Sequence, residues 1–267
     1  MSDVPSHYTQ AGGILERILT GLGDAGLDRE RFDHRSVAGA DEFHLGGPAA
    51  TAEVVAAAGI TAGHSVLDVG CGIGGPARHM ASAAECVVHG VDVTPEFVDV
   101  AAELSRRAGL GEVTTFELGD ATELRAADES YDVVTVLHVG MNVADKALMF
   151  DEMARVVRPG GAVAVYDIMQ IGDGEIDYPV PWSTTATTSH LESPDGYRAQ
   201  FERCRLTVET TVEQTELVRA AISRATESPP PVNLSHLMGD GFTEMFGNLF
   251  AAMSAGTVAP VLMVGRR

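Results

Sequence analysis

The densest chemistry in the chain lies in Val66-Leu67-Asp68-Val69-Gly70-Cys71-Gly72-Ile73-Gly74-Gly75. Glycines so closely spaced let a strand turn sharply into a helix and let a ligand touch the backbone. Gly70, Gly72 and Gly75 also read G-x-G-x-x-G, a spacing that taken alone suits a nicotinamide or flavin dinucleotide. Asp92 follows the loop at about the interval where a carboxylate accepts both hydroxyls of an adenosine ribose, and it suits more than one adenosine ligand. Two features separate the alternatives. Asp68 precedes the first glycine at a place where a dinucleotide loop usually has an apolar residue. Gly119-Asp120-Ala121 adds a third acid further along.

Two histidines, His138 and His44, are candidate proton acceptors, because imidazole titrates near neutrality. His7, His79, His89, His190 and His236 show no metal-ligand spacing, and no metal is expected. Cys71, Cys86 and Cys204 are few and lack C-x-x-C spacing, which argues against a disulfide framework or a zinc site. Lys146 is the single lysine, and Asn142 rather than a tyrosine stands at the Tyr-x-x-x-Lys position. That removes the usual catalytic pair of a short-chain nicotinamide oxidoreductase.

The elements that would carry these residues alternate. Short apolar runs at 64–69, 86–91, 113–118, 131–137 and 161–168 read as strands. Helical stretches at 76–84, after Thr94-Pro95-Glu96, and at 144–157 separate them. Thr94 as N-cap, a proline at the first position and an acid in the first turn mark a helix start. Nearly continuous apolar strands each followed by a helix imply a parallel sheet covered on both faces. Ligands of such sheets bind at the carboxyl ends of the strands, where the glycine loop, Asp92, Asp120 and His138 all fall. The tail adds a helix over 194–204, strands over 206–211 and 259–265, and helices over 213–226 and 233–255.

The loop with Asp68, together with Asp92 and Asp120, resembles the first three motifs of the class I S-adenosylmethionine (SAM)-dependent methyltransferases over residues 64–168. The flanking series Asp41-Glu42-Phe43-His44-Leu45-Gly46-Gly47, Val136–Lys146, Tyr178–Trp182 and Ser193–Tyr197 is similar to the small-molecule branch, as in ubiquinone/menaquinone-type C-methyltransferases and sarcosine/dimethylglycine N-methyltransferases. The resemblance implies a Rossmann-like, doubly wound α/β fold with a mostly parallel seven-stranded sheet. It also implies SAM as cofactor and S-adenosylhomocysteine as product. It places Asp68, Gly70, Cys71, Gly72, Gly74, Asp92, Val93, Asp120, Ala121, Leu137 and His138 at the cofactor. Asp92 would bind the ribose and Asp120 the adenine amino group. Tyr8, His44, Met141, Trp182 and Tyr197 are expected around the acceptor, with His138 and His44 as catalytic candidates. The acceptor atom, whether N, O or C, stays open. The alternative is a SAM-binding protein that catalyses a step other than methyl transfer in natural-product synthesis.

Of the 267 residues, 45% are apolar, enough for a full core. The expected organisation is a helical cap segment over 1–60, a cofactor core over 61–170, and a lid insert with helices and closing strands over 171–267. With 38 acids against 18 basic residues, the net charge is −20. Such a surface repels phosphate backbones, so nucleic acid and anionic membranes are not expected as partners. No signal peptide or membrane span is read, and a cytoplasmic location is expected. The N-terminal helix and residues 215–255 are candidate faces for a homodimer.

Overall fold

The computed structural model describes residues 13–234 and 241–267. Seven strands form one sheet: β1 (Ser65–Val69), β2 (Val87–Asp92), β3 (Thr114–Leu118), β4 (Tyr131–Leu137), β5 (Val157–Gln170), β6 (Thr207–Glu213) and β7 (Val258–Arg266). Their order is β3-β2-β1-β4-β5-β7-β6, with β7 the antiparallel member. The order reverses direction between β1 and β4, which opens a crevice at their carboxyl ends.

The helices are α1 (Ile14–Asp24), α2 (Ala38–Asp41), α3 (Pro48–Ala58), α4 (Gly75–Ala84), α5 (Pro95–Arg107), α6 (Lys146–Val156), α7 (Pro194–Arg203), α8 (Thr215–Glu227) and α9 (Phe242–Ser254). Period-two alternation divides each central strand between two cores. Leu67, Val69, Val134 and Val136 pack with Met149, Met153 and Phe201 from α6 and α7. Val66, Val88 and Val133 pack with Val54, Ala77 and Met80 from α3 and α4. Both faces are therefore apolar and covered, which explains strands that read as unbroken hydrophobic runs.

Two expected elements shift. β5 begins at Val157 and not at residue 161, because Val157 pairs with Tyr131 and a register slip absorbs the residues before Ala162. Gly160 N–H finds the Arg267 carbonyl at 2.9 Å, so this turn is tied into the sheet. The last helix begins at Phe242 behind Gly241 rather than at residue 233. Residues 233 and 234 are non-helical, and residues 235–240 lie outside the described part. Thr94 holds the cap position of α5 as expected, yet its side chain makes no cap bond.

The N-terminal segment is fastened to α4 by a buried ion pair. Arg78 Nη2 donates to Asp41 Oδ2 at 2.6 Å and to the Ile73 carbonyl at 2.7 Å, while Nη1 reaches Ser105 Oγ and the Ala101 carbonyl. Burial pushes Asp41 up to about 6 in spite of the guanidinium beside it. Gly75 makes this approach possible, since a Cβ there would meet the Asp41 carbonyl oxygen at 2.2 Å. Breaking a buried pair on one side leaves a stranded charge, at a cost of about 3–5 kcal/mol. Arg78→Met should lower unfolding free energy by that order in urea at pH 7.5, where Asp41, at about 6, is mostly ionised, and by clearly less at pH 5, where its carboxyl is mostly neutral.

Candidate functional site

A cavity of about 550 Å³ opens at the carboxyl ends of β1, β2, β3 and β4. Its floor is the glycine loop. Gly70 and Gly72 have φ of 75° and 54°, in the left-handed region that glycine enters without strain. Gly70 has a second reason to lack a side chain: a Cβ would lie 2.3 Å from Val139. At Gly72 the same direction is open space on the cavity side.

Asp92 ends β2 and holds two loops at once. Its Oδ2 accepts from Gly72 N–H and its Oδ1 from Thr94 N–H, both at 2.9 Å. Each oxygen keeps a further lone pair, and the residue lines the cavity. Burial pushes its carboxyl above the usual range, while the Thr94 and Gly72 amides pull the other way. Asp120 lies at the exposed rim, with Oδ1 capped by the Thr122 amide and hydroxyl. Cys71, Val93, Ala121 and Leu137 complete this side of the wall.

His138 lies just past β4 with φ of 57°. Its amide donates to the Tyr166 carbonyl at 2.7 Å. The next two amides, of Val139 and Gly140, both donate to the carboxylate of Asp167, whose Oδ2 also accepts from the Tyr197 hydroxyl at 2.6 Å. The turn is thus dictated from beneath, and the imidazole lies against the Tyr166 ring at 5.1 Å and the His44 ring at 5.8 Å. Its Nε2 is shielded from water and makes no hydrogen bond. Burial, and secondarily the His44 charge, hold His138 well below the ordinary histidine range. It is a neutral ring with an acceptor nitrogen.

His44 is different, and the expectation of a second base is corrected. Its Nε2 lies 2.8 Å from Glu42 Oε2 and 3.0 Å from Thr51 Oγ1, and its Nδ1 3.3 Å from the Leu45 carbonyl. Thr51 donates its own proton to Glu42, so both ring nitrogens of His44 face acceptors. Burial works against the Glu42 charge, but bonds from His44 and His79 prevail and hold its carboxyl at about 2. His44 lines the cavity as a fixed wall, its ring nitrogens held by Glu42, Thr51 and the Leu45 carbonyl.

Over the top runs the segment after β5. Trp182 lines the cavity while being almost wholly buried, its Nε1 on Ser189 Oγ and its carbonyl taking Asn142 Nδ2. Lys146 is spent on the carbonyls of Val143 and His190. Asn248 of α9 donates to the Pro179 carbonyl. The insert is therefore stitched to both the loop after β4 and α9.

Three other expectations move. Asp68 is buried behind the loop, with Oδ1 on Thr135 Oγ1 at 2.8 Å and Oδ2 without a partner; burial lifts its carboxyl to about 7. Gly74 caps α4 against Phe116 and Arg78 and is off the cavity wall. Tyr197 is a core residue, edge-on to Phe150 and bound to Asp167, so its predicted contact with the acceptor is replaced by a positioning role. Met141 belongs to a small apolar annex beyond His44 and His138. Tyr8 lies outside the described residues. Sequence reasoning missed Asp167, although an acid inside the apolar run Ala162–Met169 was a readable signal, and it missed the cavity-lining Asp145, Ser183 and Thr188.

None of the described residues lining the cavity is an arginine or a lysine, whereas Asp41, Asp92, Asp120 and Asp145 are on its wall. A pyrophosphate would meet no cation there. A positively charged adenosine ligand would meet acids.

Comparison with known proteins adds the following. Residues 67–165 match the family described as Methyltransferase domain. The chain is 30% identical over 221 residues to the methyltransferase GfsG of Streptomyces halstedii, covering 81% of this chain and 77% of that protein. It is 28% identical over 221 residues to 27-O-demethylrifamycin SV methyltransferase of Amycolatopsis mediterranei (strain S699), covering 78% and 79%. A solved geranyl diphosphate methyltransferase in complex with GPP and sinefungin shares the fold, with a TM-score of 0.71 at 18% identity over 99% of this chain and 98% of that one.

Asp167 offers a check on the positioning of this site. Burial raises its carboxyl to about 6, with the Tyr197 hydroxyl pulling it down. Above pH 6 the Tyr197 hydroxyl donates to a charged oxygen; below it the carboxyl is neutral and needs the bond less. Tyr197→Phe should therefore cost about 1–3 kcal/mol at pH 7.5 and clearly less at pH 5, as read by urea unfolding at the two values.

Proposed function

The chain belongs to the class I SAM-dependent methyltransferases, and we propose that it methylates a hydroxyl oxygen of a small molecule, with His138 taking the proton. The observation that carries this reading is a pair of groups on the wall of one cavity: the Asp92 carboxylate between two backbone amides, and a neutral imidazole at His138 whose Nε2 makes no hydrogen bond.

The residues present fit SAM. Asp92 offers one acceptor from each oxygen to the ribose hydroxyls. Val93, Ala121 and Leu137 give the adenine an apolar slot, with Asp120 at its amino edge. Gly70, Cys71 and Gly72 present backbone to the methionine part. SAM is net cationic at neutral pH and suits an acid-lined wall without counter-cations. Bound there, it supplies a methyl group on a positively charged sulfur, an electrophile the protein need not activate.

What remains for the chain is to position and dehydrate the acceptor and to take its proton. Alignment of the reacting atoms at about 3–3.5 Å accounts for much of such a rate. The insert, with Trp182 in contact with the cavity, and α9 behind it, exclude water. A neutral hydroxyl is a poor nucleophile, and transfer of its proton to a positioned base contributes about 10²–10⁴-fold. His138 has a ring nitrogen without a hydrogen-bond partner and is walled in by Tyr166 and His44, whereas both nitrogens of His44 are engaged and His190, also on the wall, is only partly buried. The relative acting on 27-O-demethylrifamycin SV is named for an oxygen site, which supports the choice of oxygen.

Purified protein with SAM and a panel of phenols and secondary alcohols should release S-adenosylhomocysteine with at least one of them. Release with amines alone would contradict the oxygen assignment. With an accepted alcohol, His138→Gln should lower kcat by about 10²–10⁴-fold while S-adenosylhomocysteine affinity holds. A histidine held below its ordinary value of 6.5 loses its lone pair only in more acid solution. The acid limb of kcat that depends on His138 should accordingly lie below pH 6.5 and be absent in the variant.

A further inference from the structure

Beyond His44 and His138 the cavity continues into a second, smaller chamber walled by Leu45, Met141, Pro181, Trp182, Phe246 and Leu249. Phe43, His44, His138 and Trp182 line both spaces, so the chamber is an extension of the main cavity, and Asp92 is not on its wall. We propose that this annex receives an apolar end of the acceptor, and that the acceptor is an uncharged, largely apolar molecule, to the exclusion of carboxylates and phosphate esters. The proposal rests on the methyl-transfer reading above and adds the substrate class to it.

The first argument is hydration. The annex has a volume of about 30 Å³, room for one or two water-sized groups. A buried water is held by two to four polar partners, and cavities without them stay dry. Here His44 has both nitrogens committed, and among the described residues the remaining walls are hydrocarbon, aromatic ring or sulfur, apart from the imidazole of His138, whose Nε2 is buried without a partner. Water in this space is poorly held, so an apolar group displaces it at little cost. The lining belongs to a continuous apolar cluster in which α9 contributes Phe246, Leu249 and Phe250, and Phe246 packs on Phe242 and Phe250 at 4.6 and 5.9 Å. This wall is formed by a helix lying outside the sheet and can be altered with the glycine loop left intact.

The second argument is charge. None of the described residues lining either chamber is an arginine or lysine. Residues 1–12 and 235–240 contain none in sequence. The two buried cations nearby are spent: Arg78 on Asp41, Ser105 and two carbonyls, and Lys146 on two carbonyls. The helix start at Gly75 is covered by Asp41. A carboxylate or phosphate on the acceptor, which unlike SAM brings no cationic groups of its own, would be stripped of water with no counter-charge, beside a wall bearing Asp41, Asp92, Asp120 and Asp145. The net charge of −20 adds a repulsive field on approach.

The test uses matched probes differing in charge at constant shape: 2-naphthol, 2-naphthoate and 2-naphthyl phosphate, with cyclohexanol, cyclohexanecarboxylate and cyclohexyl phosphate as a smaller set. Each is titrated by calorimetry at pH 7.5 into the full chain saturated with S-adenosylhomocysteine. At least one alcohol should bind, ten-fold or more tighter than both its anionic partners. Phe246→Ala and Leu249→Ala should weaken that alcohol at least five-fold and leave S-adenosylhomocysteine affinity unchanged. An anion binding as tightly as its alcohol, no alcohol binding, or alcohol affinity indifferent to both variants would overturn the proposal. Failure of S-adenosylhomocysteine itself to bind would instead strike the underlying methyl-transfer reading, and the two failures are told apart in the same titration.

Discussion

The site depends on the bond pair at Asp92. One carboxylate receives an amide from the glycine loop after β1 and another from the start of α5 after β2, and so extends to Gly72 and Thr94 the link that the Gly70 and Cys71 amides make to the Val91 carbonyl. That arrangement requires a backbone able to turn left-handed at Gly70 and Gly72, and it requires Gly70 to yield its side-chain space to Val139 from the neighbouring β4 loop. Three consecutive strand ends are thus mutually braced at the switch point of the sheet. The cavity is what is left between them.

A second tier of buried acids supports this first one. Asp167 gathers the amides of Val139 and Gly140 and the hydroxyl of Tyr197, and so sets the turn that carries His138. Glu42 gathers His44, Thr51 and, at 3.3 Å, His79, and so sets the opposite wall. Asp41 anchors the same segment through Arg78. Each carboxylate is costly to bury and is retained with its bonds largely satisfied. Asp68 departs from that rule: one oxygen bonds Thr135 and the other has no partner, while its carboxyl is pushed to about 7, where it is often protonated at neutral pH.

Much of the architecture was legible in the sequence because its signals are local. The runs at 64–69, 86–91 and 131–137 are apolar on both faces, and each ends in glycine, an acid or histidine, so the strands and the chemistry at their tips declare themselves together. Asp92 and Gly72 were readable for the same reason. What escaped is what depends on tertiary partners. Tyr197 and Trp182 are both aromatic residues in the C-terminal third; the first fills the core under α6, the second faces the cavity, and nothing in their neighbourhoods distinguishes them. His44 reads as a base until Glu42 and Thr51 are seen to occupy it. Asp167 stands in a strand whose other residues drown its signal, and the annex is assembled from residues as far apart as Leu45 and Leu249.

The central claim is that the loop and Asp92 bind a SAM-type ligand rather than a dinucleotide. Thermal unfolding with S-adenosylhomocysteine and separately with NAD, on wild type and on Asp92→Ala, tests it most directly. At a hundred times the dissociation constant a ligand adds about 2.7 kcal/mol, or roughly 5–10 °C for a chain of this size. The account predicts a shift of that order with S-adenosylhomocysteine, little with NAD, and loss of the shift in the variant. A shift with NAD and none with S-adenosylhomocysteine into the millimolar range would contradict it and return the glycine loop to a dinucleotide.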